Sequence, residues 1–300
     1  MLAWYPLSPF SGGQGAPGGP HAGKLPQRQG ERQLVTITHG GAVCFMTYNI
    51  HRWAGQDGRL DVARLAQVIR VAGADVVSLN EVIQPAKLGT RTLEPLAELA
   101  DRLGMDFAFG SSGWVDVGPG WHGPLGNALL SRYPLVDVTN TLLPRPPGFK
   151  QRSLLEAKLA SGPASGLTAF VTHLDHAFEG TRMLQIQAVL RRMSRHEAHF
   201  LAGDFNTPGF YGPNARRFLT PVLRALRNAG YQDAFHVVGE GHGRTFPALS
   251  PLLRIDFLFW PRHWAHGLRS VRTLNHESVD RASDHRPVVA EWSWPPSFQA

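Results

Sequence analysis

The sequence predicts an α/β fold in which a central sheet is covered by helices on its outside. The prediction depends on the opening of the chain, where an apolar strand pattern, a helical pattern and a second apolar strand pattern follow in that order. Such a strand–helix–strand unit pairs its strands and packs its helix on the sheet. At about 150 residues per domain, 300 residues suggest two domains. Strand and motif signals run from about Val43 to Trp294 without a linker, however, which favours one.

The first three elements have clear signals. Residues 42–50 form a β-rich, apolar run that fits a buried strand. Apolar residues then recur at helical spacing from Leu60 to Ala72, and Gly73 ends this helix. Residues 75–79 form a second short buried strand, which ends at Asn80 and Glu81.

The later part of the chain alternates in the same way. A helix over 93–103 ends at Gly104, and the Gly- and Trp-rich segment 110–124 is predicted to be a loop. Strand patterns dominate the rest. The predicted strands cover residues 127–131, 135–142, 153–159, 167–172, 199–201, 255–260, 267–273 and 287–292, and two further helices cover 181–194 and 214–229.

The ends of the chain define the predicted domain, residues 42–296. Residues 1–41 are predicted to be a flexible or disordered tail, because their Gly/Pro-rich stretch cannot bury enough apolar surface to offset the cost of ordering it. No apolar run is long enough for a transmembrane helix, and the start lacks a signal-peptide pattern. Together with a single cysteine, Cys44, predicted to be an inert thiol, this favours a cytoplasmic protein. A monomer is the default expectation.

The chain is strongly basic, with a formal net charge of +7 and a pI of about 10.1. A basic balance is typical of proteins that bind nucleic acid or an anionic membrane surface. The excess consists mostly of scattered arginines, however, so a purely compositional origin stays open.

Polar and ionisable residues recur where a predicted strand ends or begins. Alone, most have ordinary explanations, such as turn formation by Asp or Asn. Asp256 is harder to explain in this way, because a carboxylate in an apolar strand is costly unless it is paired or bound to a metal. Their coincidence at strand ends predicts a shared site. The clusters are Asn49 with His51, Asn80 with Glu81, His173 with Asp175, Asp204 with Asn206, Asp256, and Asp284 with His285.

The residue types limit the chemistry of that site. Carboxylate and amide oxygens without paired thiols suit a hard cation such as Mg²⁺ or Mn²⁺. Such a cation polarises a phosphoryl oxygen. His173 and His285 are candidates to donate to phosphate oxygens, and Asp204 is a candidate to orient or deprotonate the attacking water. No nucleophile elbow of the G-x-S-x-G type is present.

The order of these motifs resembles the endonuclease/exonuclease/phosphatase superfamily, which includes DNase I, AP endonucleases and neutral sphingomyelinases. The resemblance covers about residues 42–294. It implies a DNase I-like, four-layered α/β/β/α sandwich of two mixed β-sheets with the site at one edge. The motifs that carry it are Thr47-Tyr-Asn-Ile50, Ser78-Leu-Asn-Glu-Val82, Gly126-Asn-Ala-Leu-Leu-Ser131, Thr172-His-Leu174, Gly203-Asp-Phe-Asn206, Arg254-Ile-Asp256 and Ser283-Asp-His285.

The resemblance also implies a role for each matched residue. Asn49, Glu81 and Asp284 are the implied metal ligands, and the metal is implied to be Mg²⁺ or Mn²⁺. One departure is visible: Asn80 stands where the family usually has glutamine. The implied catalytic residues are His173, which contacts the phosphate; Asp204, which aligns the water; Asn206, which binds phosphate; Asp256, which orients the last histidine; and that histidine, His285.

The implied function is a metal-dependent phosphodiesterase that uses an activated water, and three alternatives stay open. A nuclease needs a basic groove, for which Arg52, Arg132, Arg145, Lys150, Arg152 and Arg254 are candidates. A lipid phosphodiesterase related to sphingomyelinases, acting on a phospholipid headgroup, needs exposed aromatic residues, for which Trp53, Trp114, Trp121 and Phe149 are candidates. A degenerate binding module is the non-enzymatic alternative, and the retention of Glu81 and His285 argues against it.

Overall fold

The computed structural model describes residues 41–117, 121–210 and 219–294. The predicted tail, apart from Gly41, lies outside these ranges, as do the last two residues of the predicted domain. Both boundaries therefore remain predictions.

The strands form two mixed sheets. In chain order they are β1 (Val43–Asn49), β2 (Val76–Ile83), β3 (Ala86–Leu88), β4 (Arg91–Leu93), β5 (Asp106–Asp116), β6 (Trp121–Ser131), β7 (Leu135–Leu142), β8 (Ser153–Leu159), β9 (Thr168–His173), β10 (His199–Asp204), β11 (Tyr231–Asp233), β12 (Asp256–Pro261), β13 (Leu268–Thr273) and β14 (Val288–Trp292). The first sheet has the order β13-β14-β1-β2-β6-β3-β4, with β5 also on β6, and the second has the order β11-β12-β10-β9-β8-β7.

Parallel pairing is confined to the middle of each sheet among the described strands. In the first sheet, β1 lies parallel to β2 and antiparallel to β14, so that the first and last strands are neighbours. In the second sheet, β9 lies parallel to β10, which is antiparallel to β12. Helices connect the parallel pairs, as the crossover rule for such strands requires. The described α-helices, of which the first and the third make these two connections, are α1 (Val62–Ala72), α2 (Pro95–Leu103), α3 (Glu179–Met193), α4 (Pro221–Asn228), α5 (Ala234–Val238), α6 (Arg262–Ala265) and α7 (Glu277–Ala282).

An aromatic core fills the space between the two sheets. Phe45 and Trp292 come from the first sheet, and Phe200 and Trp260 from the second. The Trp260 ring stacks on Trp292 at 4.8 Å and on Phe200 at 5.1 Å between centroids. Two further apolar clusters join the outer faces to α1, α2 and α7 on one side and to α3 and α4 on the other. The α/β/β/α layering confirms the predicted fold class.

The helix α1 shows how local sequence determines an element. Its N-terminus is capped by Asp61, whose side chain accepts a hydrogen bond from the Arg64 backbone N–H at 2.9 Å. Its C-terminus is Gly73, which adopts the left-handed conformation that glycine tolerates best. The apolar face predicted from the spacing is the face that is buried.

Some predicted elements were wrong. The segment 110–124 is not a loop but most of the long hairpin of β5 and β6, apart from residues 118–120, which lie outside the description. The second strand does not stop before Asn80 but continues to Ile83. The described part of the helix predicted over 214–229 begins only at Pro221, and residues 211–218 lie outside the description.

The cysteine Cys44 lies in β1 as a free thiol. Cys44 is half-buried, and burial together with Asp75 raises the pKa of its thiol to about 11. Its protonated, unreactive form is therefore favoured. In the ranges that the structure describes, no helix is both long enough and apolar enough to cross a bilayer.

Candidate active site

Strand register brings most of the predicted residues into two rows. In the first sheet, the last residue of β1, Asn49, stands beside Asn80 of β2. In the second sheet, Asp204 of β10 stands between His173 of β9 and Asp256 of β12. In each sheet the row lies at the carboxyl ends of parallel strands, where α/β folds place their sites.

Two asparagines join the rows across the space between the sheets. Asn49 Nδ2 donates to Asp204 Oδ2 at 3.0 Å. Asn80 Oδ1 accepts from the Asp204 backbone N–H at 2.8 Å, and Asn80 Nδ2 donates to the Thr172 carbonyl at 3.0 Å. Asn80 is fully buried. The residue that departs from the family pattern thus holds the backbone of Asp204 in place, a role that the sequence did not reveal.

Close approach of β10 to β9 explains the glycine of the Gly-Asp-Phe-Asn motif. Gly203 has a φ of 144°, and a Cβ there would lie 1.8 Å from the Thr172 carbonyl oxygen. Only glycine fits both conditions. The turn that follows is closed by Asp204 Oδ1, which accepts from the Asn206 backbone N–H at 2.8 Å.

His285 lies between two buried carboxylates. Its Nδ1 is 2.8 Å from Asp256 Oδ2, and its Nε2 is 3.7 Å from Asp204 Oδ2. Although burial works to lower it, Asp256 and Asp204 raise the pKa of His285 to about 10, so the ring carries a positive charge at neutral pH. Burial and the Asp256 carboxylate raise the pKa of Asp204 to about 7. The ring of Phe246 covers the imidazole at 4.9 Å between centroids.

His173 is the opposite kind of histidine. Its Nε2 accepts from Asn206 Nδ2 at 2.9 Å and lies 3.6 Å from Asp204 Oδ2. Burial, reinforced by repulsion from Arg152, lowers the pKa of His173 well below its ordinary value. The site therefore contains one charged and one neutral imidazole.

Glu81 stands on strained backbone. It has a φ of 58° at an irregularity in the pairing of β2 with β6. Left-handed conformations in non-glycine residues are costly and cluster at functional sites. Its carboxylate is 3.2 Å from Arg52 Nε. Burial works to raise the pKa of Glu81, but Arg52 and other nearby positive groups lower it.

The turn that carries Arg52 is strained as well. His51, Arg52 and Trp53 all have positive φ values between 47° and 70°. The buried indole of Trp53 anchors the turn, because its Nε1 donates to the Ile83 carbonyl at 2.9 Å. Neither this strain nor the Arg52–Glu81 pair was visible in the sequence.

The donor set at this edge fits a hard cation. Ser283 Oγ donates to the Asn49 carbonyl at 2.6 Å, which holds the start of the Ser-Asp-His motif at the end of β1. The neighbouring carboxylate of Asp284 forms no ion pair among the described residues. Asp256 Oδ1 is buried without a hydrogen-bond partner. These groups offer several oxygens and no thiol, which is the donor chemistry of Mg²⁺ and Mn²⁺.

A second grouping could also hold an ion: Asp204, Asp256 and His285 offer ligand atoms within 4.8 Å of one another. However, His285 Nδ1 and Asp256 Oδ2 already share a proton in their hydrogen bond. A metal there would have to displace that proton. We therefore assign these three residues to proton handling and keep Asn49, Glu81 and Asp284 as the predicted ligands.

Two of the basic candidates lie in ion pairs, and the aromatic candidates differ in their exposure. Arg254 is buried in an ion pair with Asp233. Arg132 pairs with Asp75 at the far end of β2, at 3.2 Å. Among the aromatics, Trp53 and Trp121 are buried, Phe149 is half-buried and Trp114 is 57% exposed.

Two buried residues near the rows had no predicted role in catalysis. Asn127 Oδ1 accepts from Asn80 Nδ2 at 2.8 Å, and Asn127 Nδ2 donates to the Ser153 carbonyl at 3.0 Å. Its signal in the sequence was its place in the Gly-Asn-Ala motif. Arg152, predicted only as one arginine of a basic groove, lines a narrow cavity with Glu81 and His173.

Residues 46–285 match the family model described as "Endonuclease/Exonuclease/phosphatase family". The chain belongs to this family. The match confirms the resemblance stated above, and members of the family are generally hydrolases of phosphoester bonds. Every predicted site residue of this family member lies within the matched segment, from Asn49 to His285.

The solved structures similar to this chain share its fold but differ in the function that their names give. The chain is 27% identical to the uncharacterized protein YbhP of Escherichia coli, over 82% of this chain and 94% of that protein. A family member from Beutenbergia cavernae has a TM-score of 0.67 at 24% identity, covering 84% of this chain and 72% of that one. A mannosyl-6-phosphatase from Bacteroides thetaiotaomicron has a TM-score of 0.63 at 18% identity, and a 3'-5' exonuclease from Neisseria meningitidis has 0.57 at 22%. Each covers 84% of this chain and is itself fully covered.

Proposed function

We propose that this chain hydrolyses a phosphate ester, most simply a phosphodiester, by attack of water with Mg²⁺ or Mn²⁺ bound. The observation that carries the proposal is the buried series Asp256–His285–Asp204, with its two short separations of 2.8 and 3.7 Å. A charged imidazole beside a carboxylate with a pKa near neutrality provides both a donor and a proton acceptor.

In the proposed site, Asn49, Glu81 and Asp284 hold the cation. When bound, the cation neutralises charge on the phosphoryl group and polarises its P–O bonds. Arg52 then competes with the cation for the Glu81 carboxylate, which lies 3.2 Å from Arg52 Nε.

The protein groups divide the remaining tasks. Asp204 takes a proton from the attacking water as the water oxygen bonds to phosphorus. The amide of Asn49 fixes the carboxylate that does this. The bond from phosphorus to the leaving oxygen breaks, and that oxygen leaves as an alcohol after it takes a proton from solvent. His285, oriented by Asp256, donates to the phosphoryl oxygens as their charge increases. Asn206 and His173, both predicted to contact the phosphate, lie beside Asp204, and Asn206 Nδ2 donates to His173 Nε2 at 2.9 Å and to the Leu174 carbonyl at 3.1 Å.

The test is hydrolysis of a small panel with Mg²⁺, Mn²⁺ or EDTA. The panel contains bis-p-nitrophenyl phosphate, p-nitrophenyl phosphate, plasmid DNA, sphingomyelin and a phosphoinositide. Glu81→Gln and His285→Gln are compared with wild type, and Glu98→Gln on the exposed face of α2 is the matched control. We expect loss of turnover in EDTA and a decrease of about 10²–10⁴-fold in kcat/KM for both site variants.

The outcomes separate the alternatives. Preference for DNA supports the nuclease, and preference for sphingomyelin supports the lipid phosphodiesterase. Turnover that survives EDTA and both substitutions would falsify the proposed mechanism. A wild-type protein that binds the panel without turning over any member is the degenerate binding module.

A further inference from the structure

Arg152 is a buried cation without an ion-pair partner among the residues that the structure describes. It directly precedes β8 and is 7% exposed. Among the described residues its guanidinium makes no ion pair within 4.0 Å, and Nε is shielded from solvent without a hydrogen-bond partner. Burial works to lower the pKa of Arg152, while Glu81, Asp204 and Asp175 oppose this at longer range.

The other buried arginines of the described chain are treated differently. Arg254 pairs with Asp233, and Arg182 pairs with Glu179 at 2.8 Å. A buried charge normally needs such a partner, because taking it out of water is costly. Arg152 therefore bears a cost that the fold itself does not compensate.

The surroundings of Arg152 indicate what compensates it. The cavity that it lines is mostly polar, with Glu81, Asn127 and His173 among its walls. Its volume is about 10 Å³, which is about the space needed for one water-sized oxygen atom. The cavity thus has room for a single oxygen atom.

We propose that Arg152 and this cavity bind one non-bridging oxygen of the phosphoryl group. The inference rests on the proposed function and deepens it, since it gives the phosphate a third protein contact beside His285 and Asn206. The pocket requires a free, negatively charged oxygen, as in a phosphate monoester, a diester or inorganic phosphate. An esterified oxygen does not fit, because its carbon substituent has no room.

Binding of inorganic phosphate measured by calorimetry, with Mg²⁺ and with EDTA, tests the pocket without requiring turnover. Arg152→Met keeps the bulk of the side chain and removes its charge. Arg152→Lys keeps the charge but lacks the paired N–H donors of the guanidinium. Arg102→Met, on the exposed end of α2, is the control. We expect about 10–100-fold weaker binding for Arg152→Met, because hydrogen bonds to charged groups are among the strongest. Arg152→Lys is expected to be intermediate, and Arg102→Met to bind like wild type.

Stability separates binding from a structural role. Because Arg152→Met removes an uncompensated buried charge, its Tm in phosphate-free buffer should equal or exceed that of wild type. Wild-type phosphate affinity in Arg152→Met, or no binding by wild type at millimolar phosphate, overturns the pocket. If Arg152→Met does not fold, Arg152→Lys decides in the same way.

The two proposals can fail separately. Phosphate binding that depends on Arg152, in a protein that hydrolyses nothing, would remove the proposed hydrolysis and leave the pocket. Hydrolysis that depends on Glu81 and His285, with phosphate binding indifferent to Arg152, would remove the pocket alone.

Discussion

Two buried charged residues lie four positions apart, Arg152 directly before β8 and Glu156 within it. Their surroundings are opposite. Glu156 has partners on every side: Arg192 Nε at 2.7 Å, His196 Nε2 at 3.0 Å and Thr139 Oγ1 at 3.1 Å. Arg152, which directly precedes the strand, has none among the described residues. The first charge is neutralised by the fold, and the second faces a cavity.

The difference separates architecture from function. A buried charge that only joins elements is most stable when it is fully paired, as Glu156 is with α3. A charge that must meet a ligand has to stay open, at a cost in stability. Asp256, with one oxygen unpartnered, belongs to the open kind. Three experiments test whether this division holds.

The largest effect is expected for Asp256→Asn. The change keeps the shape of the side chain but allows His285 to adopt the wrong tautomer, so kcat/KM should decrease about 10²–10⁴-fold. The free energy of unfolding should also decrease, because the buried His285 imidazole loses the charge of its partner, Asp256 Oδ2, at 2.8 Å. Steady-state kinetics and urea unfolding measure the two quantities. A variant that is strongly destabilised but active would place Asp256 with Glu156.

The second effect is a dependence of stability on pH, measured in EDTA. The pKa of Asp204 rises from an ordinary 3.8 to about 7 in the folded state. The folded protein therefore holds a proton that the unfolded chain has lost, and this stabilisation is present below pH 3.8 and lost as the pH rises through 7. The free energy of unfolding of Asp204→Asn should rise relative to that of wild type over this window, by at most about 1.4 kcal/mol per pH unit.

Thermal unfolding of both proteins between pH 4 and 8 provides the measurement. The difference in Tm, rather than either Tm alone, isolates Asp204 from the other carboxyls. A constant difference across the window would show that Asp204 is ionised throughout. His285, whose pKa rises from 6.5 to about 10 partly through Asp204, adds a loss of stability of the same sign above pH 6.5, and this loss should be smaller in Asp204→Asn.

The smallest effect on catalysis, and a clear one on stability, is expected for Glu156→Gln. Loss of the charge leaves Arg192 and His196 without their shared partner, and Arg192 is exposed enough to turn toward water. The free energy of unfolding should therefore decrease by about 1–3 kcal/mol. Activity should stay within about twofold of wild type. Reduced activity at full stability would contradict the distinction drawn between Glu156 and Arg152.

Much of the fold was predictable because its signals are local. The apolar spacing of α1 and the glycine after it determine that helix, and β7 and β8 lie where their patterns predicted. The hairpin of β5 and β6 was missed because its glycines suggested a loop. These glycines instead allow β5 and β6 to approach each other closely, since a Cβ on Gly126 would lie 1.9 Å from the Gly110 carbonyl oxygen. That distance depends on a neighbouring strand that the local sequence does not show.

The site, like the fold, was predictable only where its signals are in the local sequence. The order of the motifs predicted which residues lie at the shared edge, and the rows of Asn49, His173, Asp204 and Asp256 are close together. The role of Asn80 could not be predicted, because its partners are on the opposite sheet. The isolation of Arg152 could not be predicted either, since having no partner leaves no pattern in a sequence.

The pairing of β1 with β14 determines how late in synthesis the site can form. Asn49 closes the first strand of the domain, whereas Asp284 and His285 come just before the last one. A chain still on the ribosome therefore carries no complete site until nearly the whole domain has emerged. Under the proposed function, a chain that ends before Asp284 lacks part of the site and is expected to hydrolyse no phosphate ester.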